Sequence, residues 1–202
     1  LRSQSVAMRM ASDQMALTDA YQQLSVTNAQ LAHLASHDQL TGLLNRRGTL
    51  DALDSLVTTC SPERPLGLLF CDLDRFKAVN DLLGHRGGDQ FISVLADRIQ
   101  RTLETGCIAG RIGGDEFVVM LPDHDVERAA TVAARLVAVL AQPVHAEGRS
   151  VPSAVSIGVA GAPHHGRGAG DLLRNANAAL YRAKHAGRNR VEVFDGAMQH
   201  EL

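Results

Sequence analysis

Apolar residues recur at every seventh position near the start of the chain, at Met10, Leu17, Leu24 and Leu31, and the positions four further on hold Gln14, Tyr21, Asn28 and Ala35. That spacing lays a seam along one face of a helix. With leucine at d and Asn28 at a, the pattern suits a parallel two-stranded coiled coil, in which one buried Asn sets the register at some cost in stability. The plainer alternative is one amphipathic helix lying on its own domain. Because no Pro or Gly interrupts residues 1–35, the coiled coil is preferred and is expected to act as a signalling stalk.

Beyond Asp38 the periodicity alternates between helix-like and strand-like runs. It predicts a helix over 45–59, a strand over 66–72, helices over 75–83 and 87–104, and hairpin strands over 107–112 and 117–121. An Ala/Val-rich helix over 125–141, a strand over 151–161, a helix over 169–186 and a last strand over 190–194 follow. Strands and helices in this order around one central hairpin imply an α+β fold, a central, mostly antiparallel sheet flanked by helices. The segment 161–170, with Pro163 and several glycines, reads as a loop. His164 and His165 within it lack the helical spacing of a zinc site and are expected to face solvent. The predicted divisions are a helical stalk over 1–36, a domain over 37–195 and a tail over 196–202.

Composition adds limits. The 202 residues are 45% hydrophobic and 21% charged, as in globular proteins, and no uninterrupted apolar stretch is long enough to span a bilayer. A formal charge of −2 gives no whole-molecule field for nucleic acid or anionic membrane, so phosphate binding must be local. Cys60, Cys71 and Cys107 are odd in number and lack CxxC spacing, which predicts reduced packing thiols in a cytoplasmic setting. The chain opens on Leu1 without a basic, apolar leader, so a piece of a longer protein with upstream sensor domains, one that could be membrane-tethered, is expected.

The candidate chemistry lies in two acidic turns. Leu66 to Phe70 is an apolar run leading into Cys71-Asp72-Leu73-Asp74, and Gly113-Gly114-Asp115-Glu116 joins the two hairpin strands. Gly-Gly permits the positive φ of a tight turn and leaves no side chain to block a ligand, and Asp115 and Glu116 are expected to stand exposed beside it. Either Asp72 or Asp74 alone would read as a strand-end or helix-capping acid. Four carboxylates together repel one another and are most easily stabilised by a divalent cation, and oxygen-only ligands point to Mg²⁺ or Mn²⁺. Among 20 basic residues only Lys77 and Lys184 are lysine. A Lys ammonium serves phosphate as a compact point charge, and Arg188 follows Lys184 by four residues, so Lys77, Lys184 and Arg188 are the expected phosphate ligands. A helix C-terminus complementing its dipole would account for Arg182 but not for the choice of lysine. No GxxxxGK[ST] loop is present.

Gly113-Gly114-Asp115-Glu116-Phe117 resembles the signature of the GGDEF family, the diguanylate cyclases. Four further blocks resemble that family in its own order: 38–47 (DQLTGLLNRR), 72–81 (DLDRFKAVND) with Gly84-His85 and Gly88-Asp89, 156–160 (SIGVA), and 179–190 (ALYRAKHAGRNR). Five ordered blocks cover residues 36–195, which chance does not produce. The resemblance implies a palm-type nucleotidyl-cyclase fold and a Mg²⁺ or Mn²⁺ cofactor held by Asp72, the Leu73 carbonyl and Asp115, with Glu116 in or beside that shell. It implies Asp72, Asp115 and Glu116 as catalytic residues and Asn80 and Asp89 as readers of guanine. Phe76, Gly113 and Gly114 complete the substrate contacts. In the implied reaction the 3′-hydroxyl of one GTP attacks the α-phosphorus of another, and a second such step closes the ring of cyclic di-GMP. Two domains, each holding one GTP, must face each other transiently, so a homodimer joined by the stalk is expected. The base for the 3′-hydroxyl stays open between Glu116, Asp115 and metal-bound water.

Three positions depart from the family's pattern. Its inhibitory product site, Arg-x-x-Asp, falls here on Glu104 and Cys107, so weak or absent feedback through that site is expected, with Arg101 a displaced and poor substitute. Asn177 stands where an Asp is usual. The rival function is a non-catalytic GTP-binding module ahead of an EAL phosphodiesterase domain, whose lead-in Phe194-Asp195-Gly196-Ala197-Met198 resembles. A pure dimerisation module, with no affinity for GTP, is a third reading.

Overall fold

The structure is a computed structural model that describes residues 20–28 and 30–200, so Met10, Gln14 and Leu17 of the heptad seam lie outside the described residues. The chain divides into two compact units at the Ser36–His37 junction.

The first unit is helical over 20–28 and 30–36 (α1), and its Tyr21, Leu24, Val26, Leu31 and Leu34 are all more than half exposed.

In the second unit, α2 (Arg46–Thr58) leads to β1 (Leu66–Leu73), then α3 (Phe76–Thr102) and the hairpin β2 (Ile108–Arg111) and β3 (Glu116–Pro122). After these come α4 (Val126–Leu140), a short hairpin of β4 (Val144–Ala146) and β5 (Arg149–Val151), β6 (Val155–Ala162), α5 (Ala169–His185) and β7 (Val191–Val193). Five strands form the central sheet in the order β2-β3-β1-β6-β7; only the β6–β7 pair is parallel. β1 is buried along its whole length, which is why its sequence reads as an apolar run up to Asp72. The side-chain period of two divides the core. Leu69, Cys71 and Leu73 join α3 and α4 on one face, while Leu68 and Phe70 join α2 and α5 on the other. The expected α+β architecture is therefore present, with helices on both faces.

Several local expectations are corrected. Residues 76–102 are one assigned helix broken by a kink at Gly84, whose φ of 71° and ψ of 174° are non-helical. The predicted helices over 75–83 and 87–104 are the two arms of that kink. The run 144–151 forms the β4–β5 hairpin, which its short, mixed sequence did not announce, so the strand expected over 151–161 starts four residues later. His164 is exposed as expected, but His165 is half-buried: its Nδ1 accepts the Gly161 N–H at 3.3 Å and its ring meets Phe194 edge-on at 5.3 Å.

Candidate active site

The two acidic turns meet at one end of the sheet. Asp72 is the last residue of β1 paired with β3, directly opposite Glu116, and the Leu73 N–H donates to the Asp115 carbonyl at 3.1 Å. Asp72 is mostly enclosed, its side chain 11% exposed, and Lys184 Nζ lies 2.7 Å from Oδ2. Burial pushes the Asp72 carboxyl above its ordinary range, Lys184 pulls it down, and the nearby charges of Asp115 and Glu116 push it up again. Three of the four predicted carboxylates thus share one electrostatic neighbourhood.

Asp74 does not join them. Its oxygens accept from Ser156 Oγ at 2.8 and 3.0 Å and from the Asn189 N–H at 3.0 Å, so both oxygens are engaged away from that neighbourhood. Asp115 and Glu116 also differ from expectation in being half-buried, because β3 begins at Glu116 and the pairing reaches the turn. Neither Gly113 nor Gly114 has a positive φ. The Glu116 carboxylate folds back over Gly113, with Oε2 2.5 Å from a notional Cβ there, a contact that a swing of the flexible Glu116 side chain would relieve. Gly114 leaves its surroundings open, with nothing within 4 Å of a notional Cβ.

The turn is pinned by a residue that pattern reading passed over. The Arg111 guanidinium donates to both Asp38 oxygens at 3.1 and 3.2 Å, and to the Gly114 carbonyl from Nε and Nη2 at 3.2 and 2.9 Å. Thr41 adds its N–H and hydroxyl to Asp38 at 3.0 and 2.7 Å. Burial raises the Asp38 carboxyl, but the Thr41 and Arg111 bonds and the Arg111 charge outweigh it and hold the group below its ordinary value. An Asp followed by Thr three residues on was a readable turn signal; its partnership with Arg111, 73 residues away, was not.

The remaining predicted residues lie on α3 and at the end of α5. Phe76, half-buried, and Lys77, exposed, form the first turn of α3, with the Phe76 ring 6.2 Å from that of Phe91. Across the kink the second arm brings Gly88 against the Asn80 side chain, leaving no room for a Cβ at 88, and Asp89 stands exposed one residue further on. Asp89 is inside the helix and does not cap it. Lys184 sits in the last turn of α5, whereas Arg188 lies beyond its end in a left-handed conformation, φ 64°, with Nε 3.9 Å from Asp74 Oδ1. Glu104 pairs with Arg135 at 3.6 Å. Cys60, Cys71 and Cys107 are unpaired thiols, and burial raises all three, Cys71 most.

Among the described residues no group of three or more His, Cys, Asp or Glu is gathered tightly enough to hold a metal unaided. Asp72 and Asp115 supply carboxylate oxygen, and their mutual repulsion is of the kind a divalent cation relieves. That donor set fits a hard cation whose shell is completed by phosphate oxygens.

These features coincide with the outcome of comparison. The family described as "Diguanylate cyclase, GGDEF domain" matches residues 35–190, and the chain belongs to the GGDEF family. It is 44% identical over 171 residues to an uncharacterized protein of Mycobacterium tuberculosis, covering 84% of this chain and 27% of that one. It is 39% identical over 176 residues to the bifunctional diguanylate cyclase/cyclic di-GMP phosphodiesterase MucR of Pseudomonas aeruginosa, covering 87% of this chain and 26% of that one. The chain thus spans about a quarter of the length of these curated relatives. Among solved structures it is similar to the coiled coil and GGDEF domain of DgcB from Caulobacter crescentus in complex with c-di-GMP, with a TM-score of 0.81 and 30% identity over 94% of this chain and 99% of that one.

Proposed function

We propose that the chain is the catalytic unit of a diguanylate cyclase, condensing two GTP into cyclic di-GMP with release of two pyrophosphates. The observation that carries this reading is the shared neighbourhood of Asp72, Asp115 and Glu116 beside Lys184 at the open end of the sheet. Asp72, the Leu73 carbonyl and Asp115 would hold Mg²⁺ or Mn²⁺, which when bound offsets negative charge on the phosphate oxygens. Asn80 and Asp89 read the guanine edge, the Asn80 side chain lying beside Gly88. Phe76 packs beside the base, and Gly113 and Gly114 let the turn backbone approach the substrate. Lys77, Lys184 and Arg188 neutralise the triphosphate, so the pyrophosphate leaves from a cationic cradle. The 3′-hydroxyl of the facing GTP gives up its proton as its oxygen bonds the α-phosphorus, with Glu116, Asp115 and metal-bound water the candidate acceptors.

One chain holds one GTP, so the reaction belongs to a homodimer whose protomers face each other through these sites. The stalk, residues 1–36, supplies the pairing to the cyclase domain of residues 37–195. Upstream sensor and downstream EAL domains are proposed for the longer protein, reached through the tail from residue 196. Among the described residues no helix is long and apolar enough to cross a membrane.

Incubating the purified chain with GTP and Mg²⁺ is expected to release pyrophosphate and cyclic di-GMP in a ratio of about 2:1, by the stoichiometry of two transfers, each an in-line displacement at phosphorus. GTP binding without product would favour the regulatory module instead, and no GTP binding would leave only a dimerisation role.

A further inference from the structure

The acid that the cation site leaves out is the more enclosed of the two at the end of β1. The Asp74 side chain is 4% exposed, against 11% for Asp72. A buried carboxylate is costly unless it is paired and hydrogen-bonded, and Asp74 takes Ser156 Oγ, the Asn189 N–H and, at 3.9 Å, the Arg188 guanidinium. Two of these partners lie in the short loop between α5 and β7.

That loop has an unusual backbone. Gly187, Arg188 and Asn189 follow one another at φ 118°, 64° and 47°. Successive non-glycine residues in the left-handed region persist only where their surroundings hold them there. The loop is tied at its ends, by the Arg188 N–H to the Ala183 carbonyl at 3.0 Å and the Ile157 N–H to the Arg190 carbonyl at 2.9 Å. Between those ties the Asn189 N–H rests on Asp74. Packing does not fix Arg188, whose side chain is 49% exposed beside a cleft of about 420 Å³ lined by Asp74, Val79, Val151 and Ser153.

We infer that Asp74 is a positioning residue for the phosphate-binding cation: it clamps the 187–189 loop so that Arg188 is presented to the triphosphate, without itself touching substrate or metal. This rests on the GTP reading above. It separates the two acids of the Asp-Leu-Asp turn by role, Asp72 toward the cation and Asp74 toward the arm that carries Arg188.

The test compares D74A, D74N, R188A and the D74A/R188A pair, measuring KM and kcat for GTP together with backbone hydrogen exchange over 186–190. D74A is expected to raise KM about tenfold with a smaller change in kcat, the signature of lost substrate binding. The double variant is expected to be no worse than R188A, since residues acting through one another are not additive. The Asn189 amide should exchange faster in D74A and stay protected in R188A. D74N, which keeps one acceptor oxygen, should fall between wild type and D74A and remains informative if D74A does not fold. Additive losses, an unchanged KM, or a protected Asn189 amide in D74A would overturn the inference while leaving an active wild type intact. A wild type that neither binds nor turns over GTP would overturn the GTP reading and take the inference with it.

Discussion

Asp72 shows how the site works at the scale of single residues. Its carboxyl is pushed up by burial and by Asp115 and Glu116, and Lys184 only partly compensates. Such a group is a poor surface acid and a good ligand for an added cation. Glu104 works in the opposite sense. It sits where a relative with product feedback would place an arginine, and it is spent on Arg135. A carboxylate at that position would repel a phosphodiester. The E104R/C107D variant is therefore expected to be inhibited by cyclic di-GMP more strongly than the wild type, read as a steeper fall in initial rate as product is added. Equal sensitivity of both proteins would refute this account of Glu104.

At the scale of elements, the site depends on whether a loop, a hairpin and a strand end hold together. Asp38 and Arg111 are the tie: their side chains are 24% and 14% exposed, and Arg111 reaches the Gly114 carbonyl at the same time. Because the folded-state Asp38 carboxyl is depressed, the unfolded chain binds more protons between the folded and ordinary values. Its stabilisation is complete above the ordinary Asp value and is lost as pH falls through the lower, folded one. Replacing it in D38N is expected to cost about 2 kcal/mol at neutral pH, as for a partly buried charged hydrogen bond, and to flatten the acid limb of Tm against pH. A D38N protein with the wild-type acid limb would show that the tie carries no charge-dependent stability. The sequence carried the elements well, because β1 is one buried apolar run and the kinked helix has a glycine at its bend. It carried the tertiary pairings badly. Nothing near Asp74 announces Ser156, 82 residues on, or Asn189, 115 residues on, and nothing in Gly113-Gly114 says that neither glycine takes a positive φ. Carboxylates could be grouped by proximity to turns, but which way each one faces depends on strand register, and register is a long-range property.

At the scale of the whole molecule, the proposed reaction requires two chains. Helix α1 exposes Leu24 and Leu31 to 56% and 59% on the heptad seam, apolar surface that a second stalk would cover. Covering each leucine contributes about 1.5–3 kcal/mol, so the L24E/L31E variant is expected to be monomeric by sedimentation. Its rate of product formation per chain should drop at low protein concentration and recover partly as concentration rises. A dimer that survives both substitutions would move the interface away from the stalk. Beneath this lies the claim that Asp72 and Asp115 together bind a divalent cation with GTP, and equilibrium dialysis of Mn²⁺ against the chain with a non-hydrolysable GTP analogue tests it most directly. The account predicts protein-associated Mn²⁺ that depends on the analogue and is lost in both D72N and D115N. Retention of wild-type Mn²⁺ by either variant would contradict it.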